Sequence, residues 1–229
     1  AVPGNITVYG LNACGQGSSA SIAIYVPTIP MQEICLVTVD DNSVYNKISW
    51  EKAGIPDIDS VQIFRETTGG FVHIASVHYD SLSEYVDDTY LPLANPNNTN
   101  HRYRLALVDS CGNVSDTSNY HRTILLTASQ GLGNIVNLNW NLYEGAAVTM
   151  YRILRDPNFT GFVAIDSVPG SNNVYVDNAA PVSPNLRYRL ETIWNTSCTA
   201  TRGVPIVLSR SNITVSYTHL RAHETKANL

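Results

Sequence analysis

Apolar and polar residues alternate along most of this chain with a period of two. Ile48 and Trp50 alternate with Lys47, Ser49 and Glu51, and Val61, Ile63 and Arg65 with Gln62, Phe64 and Glu66. Phe71 to Val77, Glu84 to Asp87 and Tyr103 to Val108 continue the series. A period of two sends successive side chains to opposite faces of an extended strand, one face inward and one outward. Turn chemistry separates the runs: Ala53-Gly54-Ile55-Pro56-Asp57, Thr68-Gly69-Gly70 and Asn95-Pro96-Asn97. No helical period intervenes. About seven short strands in roughly 90 residues predict a β-sandwich.

The pattern occurs twice. Ile34 recurs as Ile124, Trp50 as Trp140, Ile63 as Ile153, Arg65 as Arg155 and Asp87 as Asp177, each 90 residues on. The Arg-Tyr-Arg-Leu at Arg102 recurs at Arg187 after 85, so one loop is five residues shorter in the second copy. One long-period duplication means two copies of one domain. Trp50 and Trp140 fall mid-strand, where a large ring fills the gap between sheets. Tyr103 and Tyr188 open a late strand, where the ring packs inward and the hydroxyl reaches upstream backbone, as in a tyrosine corner. Asp87, Asp88 and Asp177 are expected to end strands by bonding local backbone.

The core Trp, the Tyr-led sixth strand and the period resemble fibronectin type III domains. More narrowly, ICLVTVD, ISWEK, IDSVQIFRET, YDSLSEYVD, YRLALVDSCGN and YHRTILLT resemble repeats near the ends of large secreted Bacteroidota proteins exported by the type IX system. The resemblance spans residues 34–210. It implies an all-β chain of two tandem fibronectin type III-like (Ig-like) sandwiches, 34–123 and 124–214, acting as spacers or adhesion modules. Residues 1–28 resemble the last strands of a truncated Ig-like or PKD-like domain, and 29–33 form a linker in the Pro-bearing stretch from Val26. The first full copy runs directly into the second, which predicts a restricted hinge and an elongated rod. In this fold Cys35 and Cys111 lie at one pole, so a Cys35–Cys111 bridge is expected; two free thiols are the alternative. The bridge would close a loop of about 75 residues and stabilise by about 4 kcal/mol.

Composition narrows the function classes. Only 14% of the 229 residues are charged, and Tyr occurs 13 times, a mix that suits an extracellular β-protein. The net charge of −5 leaves no basic surface for nucleic acid. No apolar run reaches the ~20 residues of a membrane span. There is no initiator Met and no signal peptide, and the chain is expected to be a fragment. Cys14, Cys35, Cys111 and Cys198 form no C-x-x-C pair, which argues against a zinc ribbon or redox dithiol; separate buried thiols are the alternative to secreted disulfides.

Catalytic patterns are missing. No G-x-S-x-G elbow or phosphate loop occurs, and no catalytic, cofactor or metal residue is assigned. His73, His78, His101 and His121 are scattered over the first copy. Asp40-Asp41, Asp57 with Asp59, and Asp87-Asp88 lack calcium-loop spacing. Ser60, Ser81 and Ser167 stand in short Asp-Ser-apolar sites like those Bacteroidota use for O-glycosylation. Asn5, Asn97, Asn113, Asn158, Asn195 and Asn212 begin N-x-S/T sequons.

The last segment, VSYTHLRAHET at Val215–Thr225, resembles a translated sequencing adapter over all its residues. On that reading 215–229 is a non-native tail that joins no sandwich, and the His219, His223 and Glu224 cluster carries no chemistry. The expected function is a non-catalytic structural or adhesion module of a secreted or cell-surface protein, with surface glycans or other surface proteins as partners. The alternatives are the stalk of a secreted hydrolase and a carbohydrate-binding module, whose aromatics would be Tyr79, Tyr90, Tyr120 and Trp194.

Overall fold

A computed structural model of the chain describes residues 4–11, 17–24, 28–52, 54–88, 94–194, 198–199, 205–206 and 208–216. Every element among them is a strand. β1 (Gly4–Leu11) and β2 (Gly17–Ile24) form an antiparallel hairpin. One of its faces shows Ile6, Val8 and Ile22 to solvent, and Thr7 and Ser21 hydrogen bond on the other.

The first sandwich follows. β3 (Ile34–Val39), β4 (Asn46–Trp50) and β7 (Glu84–Asp87) make one sheet in the order β3-β4-β7. β5 (Ile58–Thr67), β6 (Gly70–His78), β8 (Arg102–Asp109) and β9 (His121–Arg122) make the other, in the order β6-β5-β8-β9. The second sandwich repeats this plan. β10 (Leu126–Gln130), β11 (Val136–Trp140) and β14 (Val174–Asp177) form a three-stranded sheet in that order. β12 (Met150–Pro157), β13 (Val163–Pro169), β15 (Leu186–Ile193) and β18 (Thr214–Ser216) form a four-stranded sheet ordered β13-β12-β15-β18. Between β15 and β18, β16 (Cys198–Thr199) pairs with β17 (Pro205–Ile206).

The inward sets are those the alternation marks. Val37, Ile48, Trp50, Val61, Ile63, Tyr103, Leu105 and Leu107 are buried in the first sandwich, and Leu126, Leu138, Trp140, Tyr151, Ile153, Tyr188 and Leu190 in the second. Trp50 and Trp140 are 1% and 5% exposed, and Tyr103 and Tyr188 are fully buried. The repeat is not exact at the start. Ile34 stands opposite Trp50, whereas Leu126, not Ile124, stands opposite Trp140. A bulge between Ile34 and Leu36 and a one-residue longer β3–β4 turn account for the offset. At the far end, the boundary expected after Thr214 falls inside β18: Val215 and Ser216 pair with Arg187 and Leu186, and Ser216 is buried. Residues 217–229, with the histidine cluster, lie outside the described residues.

Each sandwich holds an arginine–aspartate ion pair, fully buried in the first and part-buried in the second. In β5 the inward series Val61, Ile63 continues to Arg65, whose Nη1 lies 2.6 Å from Asp87 Oδ2. Tyr103 Oη donates to the same oxygen at 2.7 Å and accepts from Asn46 Nδ2 at 2.9 Å. Strand register assembles the group, because Arg65 faces Tyr103 across β5–β8 and Asn46 faces Asp87 across β4–β7. The second sandwich repeats it with Arg155 Nη1 at 2.7 Å and Tyr188 Oη at 2.8 Å from Asp177 Oδ2. This corrects the expected tyrosine corner: the hydroxyl reaches a carboxylate on the facing sheet, not upstream backbone. Asp87 and Asp177 are likewise interior anchors, and Asp177 also meets the local-backbone expectation, accepting from the Ala179 amide at 3.1 Å. Burial, with the Asp87 charge alongside, raises the Tyr103 pKa well above the usual phenol value. Tyr188 moves the same way, chiefly by burial and then by its bond to Asp177.

Removing one partner strands a charge in the core, which typically costs about 3–5 kcal/mol. Asp87→Ala is therefore expected to destabilise the first sandwich by about that amount, and Tyr103→Phe by about 1–2 kcal/mol. Urea unfolding of the two variants against the parent checks both values.

Candidate functional site: the joint between the sandwiches

Only Thr123, Ile124 and Leu125 separate β9 from β10, yet the domains meet over far more than this link. The 141–149 loop, between β11 and β12, carries Asn141, Tyr143, Glu144 and Gly145 onto the first sandwich. Asn141 Oδ1 accepts from the Leu125 amide at 2.8 Å and from Asn100 Nδ2 at 3.2 Å, while its Nδ2 donates to Thr123 O at 2.9 Å. One side chain thus satisfies the backbone of the link on both sides.

Tyr143 is the plug. Its ring is buried, with its own amide donating to Tyr151 Oη at 2.7 Å. Its hydroxyl reaches into the first sandwich between β3 and β9. There it accepts from the Val37 amide at 3.0 Å and lies 2.8 Å from His121 Nδ1. Trp194 packs edge-on against Tyr143, with centroids 5.1 Å apart. Burial drives the Tyr143 pKa upward, against a smaller opposing effect from the Val37 amide.

Glu144 supplies the charged contact. Its carboxylate takes Arg102 Nε at 2.8 Å and Arg122 Nη1 at 2.7 Å, and its carbonyl accepts from the Arg122 amide at 3.0 Å. Arg102 also reaches Glu66 at 3.1 Å. The Arg102 bond is the main cause that lowers the Glu144 pKa, and Arg122 adds to it.

A third strip lies along the free edge of β3. Ser209 Oγ donates to Val37 O at 2.6 Å, the Arg210 amide to Thr38 Oγ1 at 2.8 Å, and the Val39 amide to Arg210 O at 3.1 Å. Arg210 Nη1 lies 2.5 Å from Asp41 Oδ1, and the Ile213 amide donates to Ser43 Oγ at 2.8 Å. An edge strand offers unpaired backbone groups, and these contacts cover it. The restricted hinge thus has a physical basis. The domains also overlap sideways along β3, beyond the end-to-end contact that the direct link implied.

The other candidates are not gathered here. Cys35 is disulfide-bonded, whereas Cys111 is a free, exposed thiol, so the expected Cys35–Cys111 bridge is not formed. The reason is local. Cys35 is the bulged residue of β3, and Asp109 Oδ1 accepts the Cys111 and Asn113 amides, fixing a tight turn that presents Cys111 to solvent. Trp194 is 8% exposed beneath Tyr143, which removes it from any glycan-facing surface. Tyr120 stacks under Arg102 and Arg104, Tyr79 lies under Lys52, and Tyr90 is outside the described residues. Ser60 and Ser167 are half-buried within β5 and β13; Ser81 is exposed in the turn after β6. Tyr143, Glu144, Asn141, Ser209 and Arg210 escaped the sequence reading. Their signal was asymmetry: Ala53-Gly54 stand in the first copy where the second has Tyr143-Glu144.

The strand order defines the class: three strands against four, twice in tandem, is a pair of fibronectin type III-like sandwiches. Comparison with protein-family profiles finds no match, and comparison with curated proteins finds none. Among solved structures, a two-domain fibronectin type III segment of chicken tenascin is similar over 82% of this chain and 97% of its own, at 14% identity and a TM-score of 0.32. The FN1–FN3 domains of chicken CNTN1 are similar over 87% of this chain and 75% of theirs, at 11% identity and 0.33. Pectate lyase Pel3 from Pectobacterium carotovorum is similar over 43% of this chain, at 19% identity and 0.31, and the chain spans 28% of that enzyme's length.

Two outcomes follow from the joint and the cysteines. Glu144→Gln is expected to cost about 1 kcal/mol at low salt and less at high salt, as read by urea unfolding. Because the Glu144 pKa is lowered, that contribution is present above the unfolded carboxyl value and lost as pH falls through the folded one. Without reductant, iodoacetamide is expected to label Cys111 and leave Cys35 unmodified, as read by mass spectrometry of tryptic peptides.

Proposed function

We propose that this chain is a structural element of a large extracellular protein, a spacer that holds successive sandwiches at a fixed angle and leaves loops and strand edges free for adhesion. The observation that carries this reading is the joint, where Tyr143, Glu144, Asn141 and Arg210 tie the domains by hydrogen bonds and ion pairs on three sides of a three-residue link. A spacer needs a stiff connection, since flexible tandem domains transmit neither distance nor orientation. The disulfide-bonded Cys35 supports an oxidising, extracellular setting.

The finer assignment follows the repeat motifs. The chain is read as part of a secreted or surface-bound Bacteroidota protein of the type IX pathway, with Val215–Thr225 as adapter-derived sequence. On this reading the exposed Ile6, Val8 and Ile22 of the hairpin are the inward face of a further sandwich. Surface glycans or other surface proteins are the partners, contacted through groups other than Trp50, Trp140 and Trp194, which are all interior.

Backbone nitrogen-15 relaxation tests the spacer. One rotational diffusion tensor should fit the amides of both sandwiches. Two separate tensors, with independent tumbling, would remove the reading.

A further inference from the structure

The Tyr143 plug contains a titratable group. His121, on β9, is 4% exposed, and its ring meets Tyr143 edge-on at 87°. Gly145 lies directly on the imidazole: a side-chain carbon there would sit 2.3 Å from two ring carbons. Gly145 also has φ +108°, a conformation that favours glycine. The loop and the ring therefore fit each other with no space left over.

Hydrogen-bond polarity favours one protonation state, the one in which every proton at this contact has an acceptor. The Tyr143 hydroxyl receives the Val37 N–H, so its own proton is free to be donated to His121 Nδ1. That nitrogen must then be an acceptor, as in neutral imidazole carrying its proton on Nε2. A protonated ring would instead aim a second N–H at the same hydroxyl and leave the hydroxyl proton without its acceptor. We propose that His121 is a proton-controlled latch: neutral, it holds Tyr143 and keeps the two sandwiches joined; protonated, it loosens the joint.

The surroundings leave the imidazolium unaided. β3 carries no charged residue. From β8 come Tyr103, opposite His121 in the strand register, and Arg102; Arg122 follows on β9, and the 141–149 loop brings Tyr143 and Glu144. Arg102 and Arg122 both pair with Glu144, and Arg102 also with Glu66. No carboxylate is bonded to the ring among the described residues. Burial accordingly pushes the His121 pKa down from 6.5 to about 4. The sign follows: an opened joint binds the proton better, so the latch is at full strength above about pH 6.5 and weakens as pH falls toward 4.

Exchange of the Val37 amide, corrected for its intrinsic pH dependence, reads the joint directly. Between pH 7 and 4.5 its protection should fall by tens of fold, within a limit of about three hundredfold set by the two pKa values. The Leu105 amide, which donates to Ser118 Oγ inside the first sandwich, should keep its protection over the same range. His121→Gln, which keeps a neutral acceptor, should hold Val37 protection level with pH. Gly145→Ala should lower it at every pH. The proposal is overturned if wild-type Val37 protection stays flat, if His121→Gln follows the wild-type fall, if Leu105 loses protection in parallel, or if Gly145→Ala retains full protection at pH 7.

Discussion

A carboxylate held between an arginine and a tyrosine in the core of each sandwich is the constraint on which the rest of the structure depends. The two sheets of a sandwich are joined mainly by non-directional apolar contact, which tolerates sliding. Asp87 comes from one sheet, and Arg65 and Tyr103 from the other, so their bonds fix one relation between the sheets. Misalignment would leave a charge in a low-dielectric interior, where it is far costlier than a lost apolar contact. Arg155, Asp177 and Tyr188 repeat the arginine–carboxylate–tyrosine contact in the second sandwich, without the Asn46 donor of the first, where Val136 stands.

From that fixed frame the joint follows. β8 and β9 position Arg102, His121 and Arg122 at one end of the first sandwich, and β3 offers its free edge beside them. The second sandwich answers each feature. Glu144 meets the arginines, Tyr143 fills the slot between β3 and β9, and 209–213 covers the edge. Asymmetry between the copies makes this work. In the second sandwich Asn212 bonds both backbone groups of its own Leu126, whereas the corresponding edge of the first is closed by residues of its neighbour. Two copies of one domain have therefore diverged where they touch and stayed alike where each folds.

The strands were legible because a period of two needs only local alternation, and the domain count because a duplication is visible as spacing. The tryptophans and tyrosines were legible as interior residues for the same reason. Arg65 was legible only as an alternating position: nothing local reveals an inward arginine, although Arg-to-Asp spacing recurs unchanged in both copies. Cys35 and Cys111 misled, because sharing a pole is a property of the fold class, while a bulge and an Asp109-centred turn decide where each thiol points.

The sequence by itself determined the elements, their duplication and the apolar interior, since each depends on neighbours within a few residues or on a constant offset. Tertiary structure alone decided which polar groups met. Tyr143 and Val37 are 106 residues apart, and Ser209 and Val37 are 172 apart. No local pattern encodes such pairs. They exist because the two sandwiches bring fixed surfaces into contact, and the polar groups buried there must find partners.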